Sequence, residues 1–514
     1  MARLHEHQGK QILLDFRIPT PKGQLAKSPD EVFKVAEALN TPVVVKAQVW
    51  STKRAAFGGI QFAASAAEAK SKSEKLFGRR VEDFVIDKVL VEEQIRIRQE
   101  FYAGIVIDDS ARRPVMIFSS MGGSGIEEIA AEHPDKVARM EIDIATGLRD
   151  YQARNLVRQT GIHGKRQMQL AGVLVKLWQA ARKVEARSAE INPLVLTEDN
   201  EVMAADCRIA VDDYAVFRHP ELDIEIAREL NRPPSVLDKI AYDVEKDDYR
   251  GTFYFIQMEE EFQKGGGYIG FHGAGGGGSM MSMDAVHAKG FKLANFTDTS
   301  GNPAASKVYR AAKIILSQKN IDGYFGSGSG VASQEQFHSA RGLAKAFVEE
   351  NLSIPAVIRL GGNSEDRAID ILTTCTKHLP APVEGYKKDD SADFCAERLR
   401  HLVDQHKLAP DPDEAFVRPT CEQPYSFATL TGTITFDHGT CKECDHKVCV
   451  ESCIPEILKV EDGVPLLAIP AEEAKAGKCI ECLACEMECL YHGKRGAYID
   501  LPIPGLNEYR AQVA

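Results

Sequence analysis

Short apolar runs alternating with amphipathic stretches set the rhythm of the first 230 residues. "TPVVVKAQV" (41–49) predicts a buried strand with Lys46 near its end. "DKVLVEEQI" (87–95) and "EFYAGIVID" (100–108) predict an antiparallel pair of strands. "RPVMIFSSMGGSG" (113–125) predicts a strand running into a Gly-rich turn, and "EINPLVLTEDNEVMAADCRIAVDD" (190–213) two strands about a turn at 197–200. Mixed strands with helices at the side imply an α+β arrangement.

The pattern changes near residue 230, where "NRPPSV" reads as a linker. From 236 onward, apolar strands end in glycines and are each followed by a helix: "YIGFHGAGGGGSMMSMDAVHAKG", "NIDGYFGSGSGVASQEQFHSARGLAKAF" and "IPAVIRLGGNSEDRAIDIL". Such units build a doubly wound parallel sheet. The stretch 383–420 is polar and Pro-containing, with one helix expected at about 391–407, and reads as a connector. The divisions that follow are 1–235, 236–385, a connector at 386–420, and a last domain at 421–514 that lies outside the sheet before it.

At 514 residues the chain is too long for one core, which agrees with about three domains. It is 44% hydrophobic and 27% charged, with 63 Lys and Arg against 75 Asp and Glu, a formal net charge of −12. That balance gives no reason to expect nucleic acid as a partner. No apolar run approaches the length of about 20 residues that spans a bilayer, so no membrane partner is expected. The opening "MARLHEHQGKQILLDF" has charge and histidine where a signal peptide needs an apolar stretch. A cytoplasmic location is the expectation, and twelve cysteines in a reducing compartment point to metal binding rather than disulfides.

Eight of those cysteines lie in two runs: Cys441, Cys444, Cys449, Cys453 and Cys479, Cys482, Cys485, Cys489. Three closely spaced thiolates can wrap three irons of a 4Fe–4S cube while a remote cysteine takes the fourth. In two-cluster bacterial ferredoxins the last cysteine of each run serves the other cluster. The expected sets are therefore Cys441, Cys444, Cys449 with Cys489, and Cys479, Cys482, Cys485 with Cys453, with "LKVEDGVPLLAI" forming strands between the runs. Structural zinc is the rival, but two four-cysteine runs favour clusters. The first run carries an inserted "DHKV", whose His446 is read as a surface residue.

A carboxylate-activating enzyme needs donors for phosphates, hard oxygens for magnesium and an adenine slot. Glu190, Asn192 and Asp206 offer such oxygens, Lys46 could meet phosphates, and Glu92 and Glu93 follow an apolar strand where a slot could form. Taken in order, "LHEHQGKQILLDFRIPTPKG", "VVVKAQV", "VLVEEQI", "GGSGIEEIAAEHP", "SAEINPLVL", "FHGAGGGGSMMSMDAVHAKGFKLANFTD" and "IPAVIRLGGN" resemble the β subunit of succinyl-CoA synthetase over about residues 1–385. The resemblance implies an ATP-grasp domain, then a flavodoxin-like ligase domain, ahead of the ferredoxin-like 2×(4Fe–4S) domain. It implies a reaction in which acid, CoA and ATP or GTP with Mg2+ give acyl-CoA, nucleoside diphosphate and phosphate. The phosphoryl group would pass through a histidine on an α-like partner that also binds CoA, making a hetero-oligomer.

Carried over, Lys46 would contact phosphates, Glu92 and Glu93 would line the adenine slot, Glu100 would contact nucleotide, and Asn192 and Asp206 would hold magnesium. Gly326, Gly328 and Gly330 would face the phosphohistidine from a helix start. Three segments depart from the family. "STKRAAFGG" keeps Gly58 and Gly59 and the charges of Lys53 and Arg54 but loses the earlier glycines of the phosphate loop; Cys207 and Arg208 follow Asp206; and "TDTSGNPAA" (297–305) replaces a Gly-rich acyl-side loop. The last is read as a change of acid. The leading reading is a ligase β subunit whose iron–sulfur domain docks a ferredoxin-linked oxidoreductase. The alternatives are an electron-transfer subunit on an altered ligase scaffold, and clusters that are structural or oxygen-sensing.

Overall fold

Two large antiparallel sheets and a short pair of strands, Arg80–Val81 with Phe84–Val85, form the first unit of the chain, Met1–Pro233. The structure is a computed structural model and describes residues 1–50, 54, 56–123, 125–228, 230, 232–246, 253–328, 335–406 and 420–513. The smaller sheet has the order Gly23–Ala26, Val89–Glu93, Val43–Ala47, Ile60–Ala63. Every residue of Val43–Ala47 is buried, as its unbroken apolar run requires of a central strand. One face packs on the helix Pro29–Leu39, whose start is set by Pro29 in the first turn and by Ser28 accepting from the Glu31 N–H.

The larger sheet has seven strands, with Ile97–Asp108 between Ala186–Thr197 and Arg113–Ser119. The expected pairing of 87–95 with 100–108 is not formed. Val89–Glu93 joins the smaller sheet beside Val43–Ala47, and Ile97–Asp108 joins the larger one. Both segments have strand-like patterns, so the pattern alone did not distinguish a hairpin from a crossing between sheets. The region 190–213 also forms one strand more than expected: Val202–Ala204 and Cys207–Val211 both pair with Ala186–Thr197.

The second unit, Pro234–Ala514, is built on a sheet of order Tyr254–Gln257, Asn295–Asp298, Tyr268–Ala274, Gly323–Gly328, Ala356–Arg359, Val383–Tyr386, with Lys292–Leu293 on the side. All pairs are parallel except the edge strand Tyr254–Gln257. The parallel strands run 2-1-3-4-5 in chain order, the flavodoxin-like winding, whose ligands bind where the order reverses. Here the reversal lies between the C-terminal ends of Tyr268–Ala274 and Gly323–Gly328.

Helices Ala305–Ile315 and Phe337–Glu349 cover one face of this sheet through Val308, Ala312, Leu343 and Phe347. The other face is covered by Ala392–His406, which buries Cys395, Ala396, Leu399 and Val403 against Phe271, Phe325 and Val357. The stretch read as a connector thus supplies a core helix, and its apolar positions at i, i+4 and i+8 explain why.

Residues 420–513 form a three-stranded sheet of Pro424–Ala428, Thr433–Asp437 and Ala497–Asp500, and a hairpin of Leu458–Glu461 with Val464–Leu467. This region does not stand apart from the parallel sheet. Phe436, Met487, Ile499 and Leu506 share one apolar core with Leu343 and Phe347. Buried polar contacts join the same layers. Lys345 meets Glu486 at 2.5 Å and Glu349 at 2.7 Å. Arg310 donates to the Thr431 carbonyl at 2.8 Å and the Pro502 carbonyl at 3.2 Å, and Arg510 pairs with Glu350 at 3.0 Å. Among the described residues, no helix is long and apolar enough to cross a membrane.

Candidate functional site

A pocket of about 490 Å³ opens in the first unit, lined by His5, Glu6, Trp50, Arg54, Gly123, Glu190, Asn192, Asp206 and Arg208 among others. Helix Glu6–Asp15 brings Glu6 and Lys10 to one face, one turn apart. Lys46 reaches from the central strand to Glu6 at 2.8 Å, Glu92 at 2.9 Å and the Ala205 carbonyl at 2.7 Å. Lys10 meets Glu92 at 2.5 Å and Glu6 at 2.9 Å. Arg54 bridges Glu6 at 2.8 Å and Asp206 at 2.7 Å. Three cations and three carboxylates therefore interlock with balanced charge beside the pocket.

The network fixes protonation states. Burial opposes the charge of Lys46, but the carboxylates of Glu6, Glu92 and Asp206 outweigh it and raise its pKa well above the ordinary lysine value. Burial likewise opposes the Glu6 carboxylate, yet Lys46, Lys10 and Arg54 hold it well below the usual range. Asp206 goes the other way: burial, then the nearby Glu6 charge, raises it despite Arg54. A cation at Asp206 would remove that penalty. Burial lowers His5, which stacks on Trp50 with ring centres 4.8 Å apart, to about 3. A neutral flat pair thus faces a pocket otherwise rich in charge.

Asn192 and Asp206 both line the pocket with Glu190; Asn192 Oδ1 accepts the Gly123 N–H at 3.1 Å and so pins the Gly-rich turn. Arg54 lies at the pocket, and Lys53 lies outside the described residues. Gly58 has φ +69°, which its lack of a side chain permits, and Gly59 donates to the Arg54 carbonyl at 2.8 Å. Glu100 lies against Gly123. Glu92, expected in an adenine slot, is buried and committed to Lys10 and Lys46, because the two ammonium groups beneath it need a counter-charge. Glu93 accepts the Lys22 N–H at 3.0 Å. Lys10, Glu6 and the His5–Trp50 stack were not singled out from the sequence, although the i, i+4 spacing of Glu6 and Lys10 in "LHEHQGK" was visible.

In the second unit, Gly326 and Gly328 lie within the strand Gly323–Gly328 and not at a helix start. Gly326 sits opposite His272 and Ile358, where a side chain would press on Ile358. Gly328 offers its carbonyl to Arg359 at 3.0 Å. Gly330 lies outside the described residues. Close by, Gly275 (φ +95°) opens the helix Gly276–Ala288 and donates to Asp298 at 2.8 Å. His272 is buried between Tyr324 at 2.5 Å and Thr299 at 3.3 Å, and burial lowers it to about 3.

The eight clustered cysteines are buried, except for the half-buried Cys453. Their mutual electrostatic influence divides them crosswise. Cys441 feels Cys449, Cys489 and Cys444, whereas Cys479 feels Cys482 and Cys453. Cys485 feels Cys482, Cys479 and Cys453, and then Cys449. Cys453, Cys479, Cys482 and Cys485 also line one apolar pocket with Ile434, Ile457, Leu483 and Ile499. Burial pushes the Cys441, Cys449 and Cys479 thiols up to about 12. His446 is exposed, while Lys447 of the inserted loop donates to the Cys441 carbonyl at 2.6 Å and to that of Cys444. Among the described residues, no group of three or more His, Cys, Asp or Glu side chains is arranged to hold a metal ion.

Comparison with known proteins places this geometry. The ATP-grasp domain family matches residues 3–196. The chain is 36% identical over 386 residues to the β subunit of a GDP-forming succinate–CoA ligase of Thermus thermophilus, covering 75% of this chain and 97% of that one. It is also 36% identical over 379 residues to the ADP-forming succinate–CoA ligase β subunit 2 of Archaeoglobus fulgidus, covering 74% and 94%. The fold matches that of ATP citrate lyase from Methanothrix soehngenii at a TM-score of 0.65 and 17% identity, over 78% of this chain and 99% of that one. The protein is thus a multidomain ATP-grasp enzyme of mixed α/β fold. The chain belongs to the succinate–CoA ligase β-subunit family and is of the acid–CoA ligase class.

Proposed function

We propose that the chain is the β subunit of an NDP-forming acid–CoA ligase that carries two 4Fe–4S clusters in a ferredoxin-like domain at 421–514. On this reading 1–235 is the ATP-grasp domain and 236–385, completed by the helix Ala392–His406, is the ligase domain. The observation that carries the ligase part is the pocket where Asn192, Asp206, Glu190 and Arg54 converge beside Lys46. Its oxygens suit Mg2+, and its cations suit the phosphates of ATP or GTP. Bound magnesium would neutralise phosphate charge during transfer. The Asp206 and Asn192 side chains would hold it, and Arg54 and Lys46, already charged, would meet phosphate without a proton change.

The relatives are named as β subunits, which supports an α-like partner carrying the phosphorylated histidine and the CoA site. The Gly275 turn and the ends of Tyr268–Ala274 and Gly323–Gly328, at the point where the strand order reverses, are where we assign the approach of that histidine and the acid. The cysteine part rests on the crosswise division, with Cys489 among the first-run thiols and Cys453 among the second-run thiols. A cube spaces its four thiolates more widely than a single ion does, so such sets are compatible with the lack of a one-ion site among the described residues. The clusters would supply one-electron transfer. Thioester formation is redox-neutral, so their use is docking and exchange with a ferredoxin-linked oxidoreductase that makes or consumes the acyl-CoA.

The test is phosphoryl transfer. With an α partner, γ-labelled ATP and Mg2+ should label the partner's histidine, and Asp206→Asn should abolish labelling. An intact complex that binds nucleotide without transferring phosphate would favour the scaffold reading. Chemical analysis should find about eight irons per chain; iron-free protein purified without oxygen would refute the cluster part.

A further inference from the structure

Arg341 is the largest fully buried side chain of the described residues, with 0% of its side chain exposed. It lies on the helix Phe337–Glu349, one turn before Lys345. The two cations are treated differently. Lys345 has two carboxylates, Glu349 at 2.7 Å and Glu486 at 2.5 Å. Arg341 has no hydrogen-bond partner for any of its three guanidinium nitrogens among the described residues. The nearest carboxylate, Glu488, stands 3.7 Å away, beyond hydrogen-bond reach. The Phe337 ring lies against it at 5.0 Å, and Arg367, over the same ring at 4.6 Å, adds repulsion. The helix Phe337–Glu349 packs on the helix Ala484–His492, which carries both Glu488 and Cys485, and Cys482 and Cys485 as thiolates would favour the cation.

A guanidinium does not lose its proton at any physiological pH, and a buried ion without a partner is strongly unfavourable. Such a group needs an anion. We infer that Arg341 is the counter-charge of the cluster held by Cys453, Cys479, Cys482 and Cys485, supplied from the ligase layer. This rests on the cluster reading above. A cube bound by four thiolates is a net anion and gains one further negative charge when it takes an electron, which a fixed cation favours. Arg341 would thereby raise that cluster's potential and tie its redox state to the helix Phe337–Glu349 of the ligase domain.

The experiment is a redox titration of the full chain with its clusters intact, using dithionite with mediators and following each cluster by electron paramagnetic resonance. Arg341→Gln should lower the potential of one cluster by at least a tenfold change in its reduction equilibrium, about 59 mV for one electron, and leave the other in place. Arg341→Lys should restore most of the difference. Loss of one cluster in Arg341→Gln but not in Arg341→Lys would also support the inference. Two unchanged potentials in Arg341→Gln would overturn it, as would equal shifts of both clusters, or loss of a cluster in both variants alike. Wild-type protein without iron would instead refute the cluster reading itself.

Discussion

Glu6→Gln separates a buried charge network from a set of surface ion pairs. Glu6 is 5% exposed and accepts from Lys46 at 2.8 Å, Lys10 at 2.9 Å and Arg54 at 2.8 Å. Amide replacement keeps the shape and leaves three cations facing two carboxylates. Exposed pairs are worth about 0–1 kcal/mol, whereas removing one member of a buried set costs about 3–5 kcal/mol. At about 2–4 °C per kcal/mol for a unit of this size, the midpoint should fall by about 6–20 °C. The chain has two tryptophans, Trp50 and Trp178, both in the first unit, so selectively excited tryptophan fluorescence reports that unit alone. The pH dependence has a definite sign. Because the folded pKa of Glu6 is depressed, its stabilisation is present above the unfolded carboxylate value of about 4.3 and is lost as pH falls below it. Glu6→Gln should remove that part of the acid limb. A loss under about 1 kcal/mol, with an unchanged acid limb, would mean that Glu6 contributes no more than an exposed ion pair does.

Crossed ligation predicts that Cys453→Ser, although in the first run, removes the cluster of the second run, and that Cys489→Ser does the reverse; each should lower iron from about eight to about four per chain, read by metal analysis and resonance spectra. Lys345→Met leaves Glu486 buried without a cation and Glu349 with Lys313 alone, at 3.5 Å, and should destabilise the second unit by about 3–5 kcal/mol in calorimetry. His272 stays neutral when folded, lowered by burial to about 3, while an unfolded histidine titrates near 6.5. The second unit should therefore lose stability as pH falls from about 6.5 toward 3, and His272→Gln should flatten that slope in pH-dependent denaturation.

Strand-and-glycine periodicity made the parallel sheet legible from "YIGFHGAGGGGSMM" and "NIDGYFGSGSG", because buried parallel strands are continuous apolar runs. It could not show that Val89–Glu93 and Ile97–Asp108 part into different sheets, since pairing partners are not encoded in a single strand's pattern. Asn192 and Asp206 were legible as oxygens on adjacent strands, and they do meet at one pocket. The partners of Glu92 were not legible, because Lys10 and Lys46, which hold its carboxylate, lie far off in sequence. The segment 386–420 read as a polar connector because charged residues outnumber apolar ones there, yet Cys395, Leu399 and Val403 form a helical stripe that completes the core. Arg341 gave no signal, since nothing local distinguishes a buried arginine from a solvated one.

On the function proposed above, this chain is the nucleotide-using half of an acid–CoA ligase. Co-expression with an α-like subunit, followed by a panel of carboxylic acids scored for CoA-dependent release of nucleoside diphosphate, tests it most directly. The account predicts release that requires acid, CoA and Mg2+ together and disappears in Asp206→Asn. No release with any acid, from an intact complex that retains bound nucleotide, would contradict it.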